Sequence, residues 1–380
     1  MRVIVFSGKG GSGVSTLAAA TAAAVAEGGL RTLAFGLAPG LGAAFGAPLL
    51  PEAQPVAGRL EALEGHSGAG ASGEFRDWLE ALLDWRGMDV ELAGDLAGLP
   101  GLNHVGRLLE LERCLDAGYD AVIVDGGPLS QFLDLPAALD AAARWLDRLF
   151  APRQQTVFDP FLRVFAGEYA SAGEGVLDRG RDLLGRLARL RDVLTDRQVS
   201  SVRLALPPAA GAAAEAQQAV AALSLYSFAT DALALCRLLP AAVADPFFQP
   251  ARGEQTAALA EARGSLAPLP VLEAPLAASA PRGVPALAAF ARSVYGGRDP
   301  AAVLHAAPSH SFSRDGDNYR LTLALPFARR EDVRLEQLKD AIAIHLNGRR
   351  CLLTLPPEVR YRQAGSWSFD GQSLTVTFER

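Results

Sequence analysis

The residues whose chemistry is easiest to read are Ser7-Gly8-Lys9-Gly10-Gly11-Ser12-Gly13-Val14-Ser15-Thr16, set between the apolar run 3–6 and the helix-forming run Leu17-Ala18-Ala19-Ala20-Thr21. A glycine-rich turn from a strand into a helix lets consecutive backbone N–H groups point at one anion, and the helix dipole adds to their pull. Glycine allows the positive φ angles and close approach that a phosphate cradle needs. The competing reading is a tight strand-to-helix turn and nothing more. Lys9 is informative because the chain has only one other lysine, Lys339. Asp125 follows another apolar run, 121–124. A carboxylate ending a buried strand beside such a turn holds Mg²⁺ through water, or else caps the strand end.

Elements of a definite kind must carry these groups. The short apolar runs 3–6, 32–35, 121–124, 202–206, 232–235 and 269–272 alternate with longer helical stretches. Such strands, apolar on both sides and separated by helices, predict an α/β fold with a parallel sheet covered on both faces. Residues 51–99 and 135–198 read as helical insertions within a first domain, 1–295. A Gly- and Pro-containing linker spans 296–312. Beyond it the period becomes two, at 319–325, 341–346, 350–355 and 373–378, with turns at Asp315-Gly316 and Asp370-Gly371. That pattern predicts an antiparallel β-sandwich over 313–380.

The turn resembles the deviant P-loop G-K-G-G-V-G-K-[ST]-T of the arsenite-pump and tail-anchored-protein-targeting (ArsA-like) ATPases. The resemblance implies ATP or ADP with Mg²⁺ as ligands and a homodimer in which Lys9 reaches the partner's nucleotide. It also implies a cradle of Gly8, Gly10, Gly11, Ser12, Gly13 and Thr16, with Ser15 as the Mg²⁺ hydroxyl. The family's second lysine, which neutralises the β- and γ-phosphates, is replaced by Val14. Asp125 and Pro128 match the second switch. The first switch, Ala34-Phe35-Gly36-Leu37-Ala38-Pro39-Gly40-Leu41, lacks the carboxylate that positions the attacking water. Cys236-Arg237 stands where the family has its adenine-binding Asn-Gln, and the stretch from Pro275 through Arg282 and Gly283 is similar to the loop flanking the adenine. Losing one preorganised charge contact costs ~10²–10³ in rate, so the resemblance implies weak nucleotide binding with slow or absent hydrolysis.

The last seventy or so residues are similar to the small heat-shock (α-crystallin) pattern. Leu325-Pro326, Glu331-Asp332-Val333, Ile342, Ile344, Gly348, Arg349 and Arg350 carry the likeness. A β-domain that only packs on the rest, and one that holds unfolded chains, are both open readings.

Composition narrows the partners. The net charge of −6 argues against general affinity for nucleic acid or anionic lipid. Cys114, Cys236 and Cys351 are scattered without a C-x-x-C pair, so neither a disulfide framework nor a zinc clasp is expected. With no leader-like start and no long uncharged apolar run, a cytoplasmic protein without stable membrane insertion is expected. Trp145, Leu149, Phe158, Phe161, Phe165 and Tyr169 recur at helical spacing within 135–198. They fit either a groove for an apolar client helix or internal core, as do Val176, Leu183, Leu184 and Leu187. Three functions therefore compete: a nucleotide-gated binder of hydrophobic protein segments, a pump-driving ATPase, and a non-hydrolysing dimeric scaffold.

Overall fold

A computed structural model of the chain describes residues 1–65, 71–85, 87, 89, 105–139, 169–306, 310–338, 341–356, 358, 359 and 362–379. Its first part is a sheet in the order β3-β4-β2-β5-β1-β6-β7-β8. The strands are β1 (Arg2–Gly8), β2 (Thr32–Gly36), β3 (Gln54–Ala57), β4 (Leu60–Glu64), β5 (Ala121–Pro128), β6 (Ser200–Leu206), β7 (Thr230–Leu238) and β8 (Val271–Pro275). All neighbours run parallel except the edge pair β3 and β4. The apolar runs predicted as strands are strands, except that the last starts at Val271 and not at residue 269. The expected helical stretch 51–99 is corrected at its start, because β3 and β4 occupy 54–64 before helix α3 (Ala71–Trp85).

Alternation along the strands gives the sheet two apolar faces, one of them richer in alanine. Val3, Val5, Leu33, Phe35, Val122, Val124, Leu204, Leu206, Leu233 and Leu235 face one side. Covering it are α4 (Val105–Leu115), α5 (Leu129–Phe132), α6 (Tyr169–Thr195), α7 (Ala212–Leu225) and α8 (Gln249–Ser265). The other side presents Ala34, Ile123, Ala205, Ala232 and Ala234 to α1 (Val14–Glu27), α2 (Leu41–Phe45) and α9 (Val284–Tyr295). Helix α1 meets this side with Ala18, Ala19, Ala22 and Ala23. Small residues on both surfaces bring the helix close to the sheet and fix where its N-terminus lies.

The second part is a sandwich of two antiparallel sheets, β14-β15-β10-β9 and β11-β12-β13. Its strands are β9 (Ser311–Asp315), β10 (Asn318–Ala324), β11 (Val333–Gln337), β12 (Ala341–Leu346), β13 (Arg349–Thr354), β14 (Gln363–Phe369) and β15 (Ser373–Glu379). Leu321, Leu323, Ile342, Ile344, Val376 and Phe378 fill the space between the sheets, and this core is continuous with the α7 side of the first part. Arg349 Nη1 donates to the Leu133 carbonyl (2.9 Å), and the Tyr226 hydroxyl to the Arg350 carbonyl (3.1 Å). The sandwich thus packs on its own chain.

The segment expected as a linker is held firmly by the sheet. Arg203, fully buried, donates to the carbonyls of Pro300 (2.7 Å) and Ala302 (2.8 Å), and Arg2 Nε donates to Ala301 (3.1 Å). Asp231 binds both guanidiniums, at 3.0 Å to Arg203 Nε and 3.1 Å to Arg2 Nη2, and also accepts from the Leu304 N–H (3.3 Å).

His310 lies half-buried at the junction of the two parts, its Nε2 shielded from solvent. Its Nδ1 accepts from the Ala324 N–H (3.2 Å), and its ring lies near the Ser224 backbone, with no well-formed hydrogen bond at Nε2. Burial, with Arg197 nearby, pushes its pKa down to about 4. The unfolded chain therefore takes the proton first, so this residue's contribution to stability is intact above pH 6.5 and shrinks as pH falls toward 4. The expected loss between pH 7 and 4 is about 3 kcal/mol. Urea titrations at both pH values should show this slope in the wild type and a flatter one in His310→Asn; equal slopes would rule it out.

Candidate nucleotide site

The site is built at the end of β1, where the first part of the chain turns from sheet to helix. Gly8 passes so close to β6 that a Cβ there would collide with the Ala205 carbonyl. That carbonyl also accepts from the Lys9 N–H (3.1 Å) and the Ser12 hydroxyl (2.9 Å). Gly11 and Gly13 take φ of 78° and 104°, which glycine alone adopts cheaply. A Cβ at Gly10, Gly11 or Gly13 would meet nothing within 4 Å, so the loop's open side is unfilled. Helix α1 then begins with no side-chain cap and no acidic residue in its first turn. Its first N–H groups thus remain available to an anion.

Asp125 is fully buried. Its Oδ1 accepts from the Gly127 N–H (3.0 Å), while Oδ2 has only the nearby Ser15 hydroxyl and no well-formed hydrogen bond. Burial raises its pKa to about 6, against the lowering effects of Ser15 and Gly127. A poorly compensated buried carboxylate oxygen costs free energy, and a cation would relieve it. Ser15 and Asp125 are therefore suited to hold Mg²⁺, which would neutralise phosphate charge there.

Other sequence-predicted residues fall as follows. Val14 is buried in the apolar cluster under α1. Thr16 is half-buried in the first turn of α1. Pro128 caps α5 beside Gly8, with which it is in register. Lys9 is exposed and pairs with Glu215 of α7 (3.5 Å), away from its own cradle. Cys236 is buried at the end of β7, its thiol pushed up to about 12 by burial, and next to it Arg237 is exposed with φ 65°. Pro275 ends β8, and Arg282 is exposed just before Gly283, whose N–H donates to the Ala44 carbonyl (3.0 Å).

A family model described as anion-transporting ATPase matches residues 1–296. The chain belongs to the anion-transporting ATPase family. A second model, an HSP20-like domain found in such proteins, matches 316–378. A protein of Chlorobaculum tepidum, provisionally named arsenical pump-driving ATPase, is 26% identical over 100% of this chain and 96% of its own length. An uncharacterized protein of Streptomyces coelicolor is 31% identical over 100% of this chain and 97% of its own. A provisionally named arsenical pump-driving ATPase 1 of Aquifex aeolicus is 22% identical over 95% of each. The glycine turn, Ser15 and Asp125 all lie within the residues that the family model matches.

One carboxylate near the first switch escaped the sequence reading. Glu64, at the end of β4, binds the backbone of Gly40, Leu41 and Gly42, and it lies close enough to Asp125 to help raise its pKa. It comes from a strand the sequence did not show. The available signal was the alternation of Leu60-Glu61-Ala62-Leu63 leading to Glu64.

Trp145, Leu149, Phe158, Phe161 and Phe165 lie outside the described residues; Tyr169 begins α6, its side chain not described. From there the stripe turns inward: Leu183 and Leu187 are buried with Leu190 and Leu194, Leu184 packs against them, and the Val176 carbonyl accepts from Trp78 Nε1 (2.9 Å). That end of the expected client stripe is core. No helix among the described residues is long and apolar enough to cross a membrane.

Proposed function

We propose that this chain binds Mg²⁺ with ADP or ATP at the turn after β1, hydrolyses ATP slowly or not at all, and uses nucleotide to gate binding of hydrophobic protein segments. The observation that carries the nucleotide reading is the buried Asp125 oxygen beside Ser15, without a well-formed hydrogen bond, at an open glycine cradle. Slow hydrolysis is supported by Val14, which packs in the core where the family places a lysine. Restoring that charge tests the idea: Val14→Lys should raise ATP turnover by ~10² or more, and a wild type already turning over at that higher rate would refute it.

The active molecule is a homodimer in the cytoplasm. The exposed Lys9–Glu215 pair is of the kind worth only ~0–1 kcal/mol, so Lys9 is free to exchange Glu215 for a partner's phosphate. Sedimentation should show a dimer at micromolar concentration with MgADP present. A monomer under all conditions would contradict it. Lys9→Ala should weaken nucleotide binding.

The client reading rests on the aromatic spacing of 145–169. Phe161→Ser with Phe165→Ser should abolish capture of an apolar peptide while leaving a cooperative melting transition. If that transition disappears, the rings are core and the client reading fails. The pump-driving alternative meets a chemical obstacle. Capture of arsenite needs gathered thiolates, yet Cys236 and Cys351 are buried and burial pushes both Cys114 and Cys236 up to about 12.

A further inference from the structure

The loop between β2 and α2 closes over the corner where Ser15 and Asp125 meet, and a side chain from another strand holds it there. Glu64 Oε1 accepts from the N–H groups of Gly40 and of Leu41 (2.7 Å), and Oε2 from that of Gly42 (3.4 Å). The loop fits this contact because it is glycine where it must be. A Cβ on Gly40 would overlap the Ser15 hydroxyl and stand 3.5 Å from Asp125 Oδ2. One on Gly36 or on Gly42 would crowd Glu64 itself, at 3.2 Å in each case. Gly40 also takes a φ of 152°, to the right of the space open to other residues. At the loop's start, the Leu37 N–H donates to the Asp125 carbonyl (2.9 Å), and Arg107 donates to the carbonyls of Gly36 (2.9 Å) and Gly65.

In nucleotide-responsive loops the ordering contacts come from the γ-phosphate and its cation. Here a carboxylate of the chain supplies them. We propose, building on the nucleotide reading above, that Glu64 is an intramolecular latch: it holds the β2–α2 loop shut over Ser15 without nucleotide, and entry of Mg²⁺-nucleotide requires its release. Carboxylate and phosphate are of like charge and both seek backbone N–H groups at this corner, so they compete. The apparent affinity is then reduced by the fraction of molecules in which the latch is open.

Two measurements on the full chain test this. Hydrogen exchange without nucleotide should be about tenfold or more faster at residues 40–42 in Glu64→Ala than in the wild type. Rates within about twofold would overturn the latch. Association of a fluorescent N-methylanthraniloyl-ADP with Mg²⁺ should be several-fold faster in Glu64→Ala; unchanged or slower association alongside faster exchange would overturn the gating. If neither protein takes up the probe, the nucleotide reading falls and the gating with it, while exchange still decides the latch. Glu64→Gln, which keeps one acceptor oxygen and loses the charge, should be intermediate in both, and it replaces the alanine variant if that one lacks a cooperative melt.

Discussion

Asp231→Ala is expected to destabilise the protein by about 3–5 kcal/mol, among the largest effects available to one substitution in this fold. The variant would leave the fully buried Arg203 without its carboxylate and Arg2 with it. It would also remove the acceptor for the Leu304 N–H. Because the same guanidiniums hold the carbonyls of 300–302, the loss should reach the junction with the β-sandwich. Urea unfolding should therefore shift strongly, and limited proteolysis should cut within 296–310 sooner than in the wild type. A shift below about 1 kcal/mol would place the network among ion pairs of little consequence.

Asp125→Asn is expected to act in the opposite direction on the nucleotide-free protein. A pKa raised to about 6 in the fold, from 3.8, means the charged carboxylate costs stability as pH rises from 3.8 through 6, and the full cost is present at pH 7. Removing the charge should stabilise the nucleotide-free protein at pH 7 by about 3 kcal/mol. Asparagine can still accept from the Gly127 N–H, and its amide can donate to the Ser15 hydroxyl. The same change should abolish stabilisation by Mg²⁺-nucleotide, since the cation's buried partner is gone. Scanning calorimetry with and without MgADP checks both halves. A variant that melts lower without ligand, or one that still gains from MgADP, would show that Asp125 is a strand-end cap.

What could be read from the sequence followed burial. Most strands from β1 to β8 that are buried on both faces appear as largely apolar runs, although Arg203 interrupts β6, and the cradle was legible because its glycines sit between such a run and a helix. Edge strands were not legible. β3 is half exposed and contains Pro55, and β9 is exposed throughout, so neither carries an apolar signal. Arg203 and Asp231 could have been found, since Arg203 is the one charge in β6 and Asp231 opens the apolar stretch 232–236 of β7. Glu64 could not be assigned a role from sequence, because its partners, Gly40 to Gly42, lie over twenty residues earlier and meet it only through the pairing of β2 with β4. Lys9 was legible as exceptional, but its contact with Glu215 depends on how α7 packs beside the loop.

A gate of this kind must retain nucleotide without consuming it. Protein mixed with Mg²⁺ and ATP labelled on the γ-phosphate, then passed quickly through a desalting column, reports both at once. The result predicted is label that co-elutes with the protein and remains ATP for many minutes, and that no longer co-elutes in Asp125→Asn. Label absent from the wild-type protein fraction, or recovered there largely as free phosphate within seconds, would contradict the central claim.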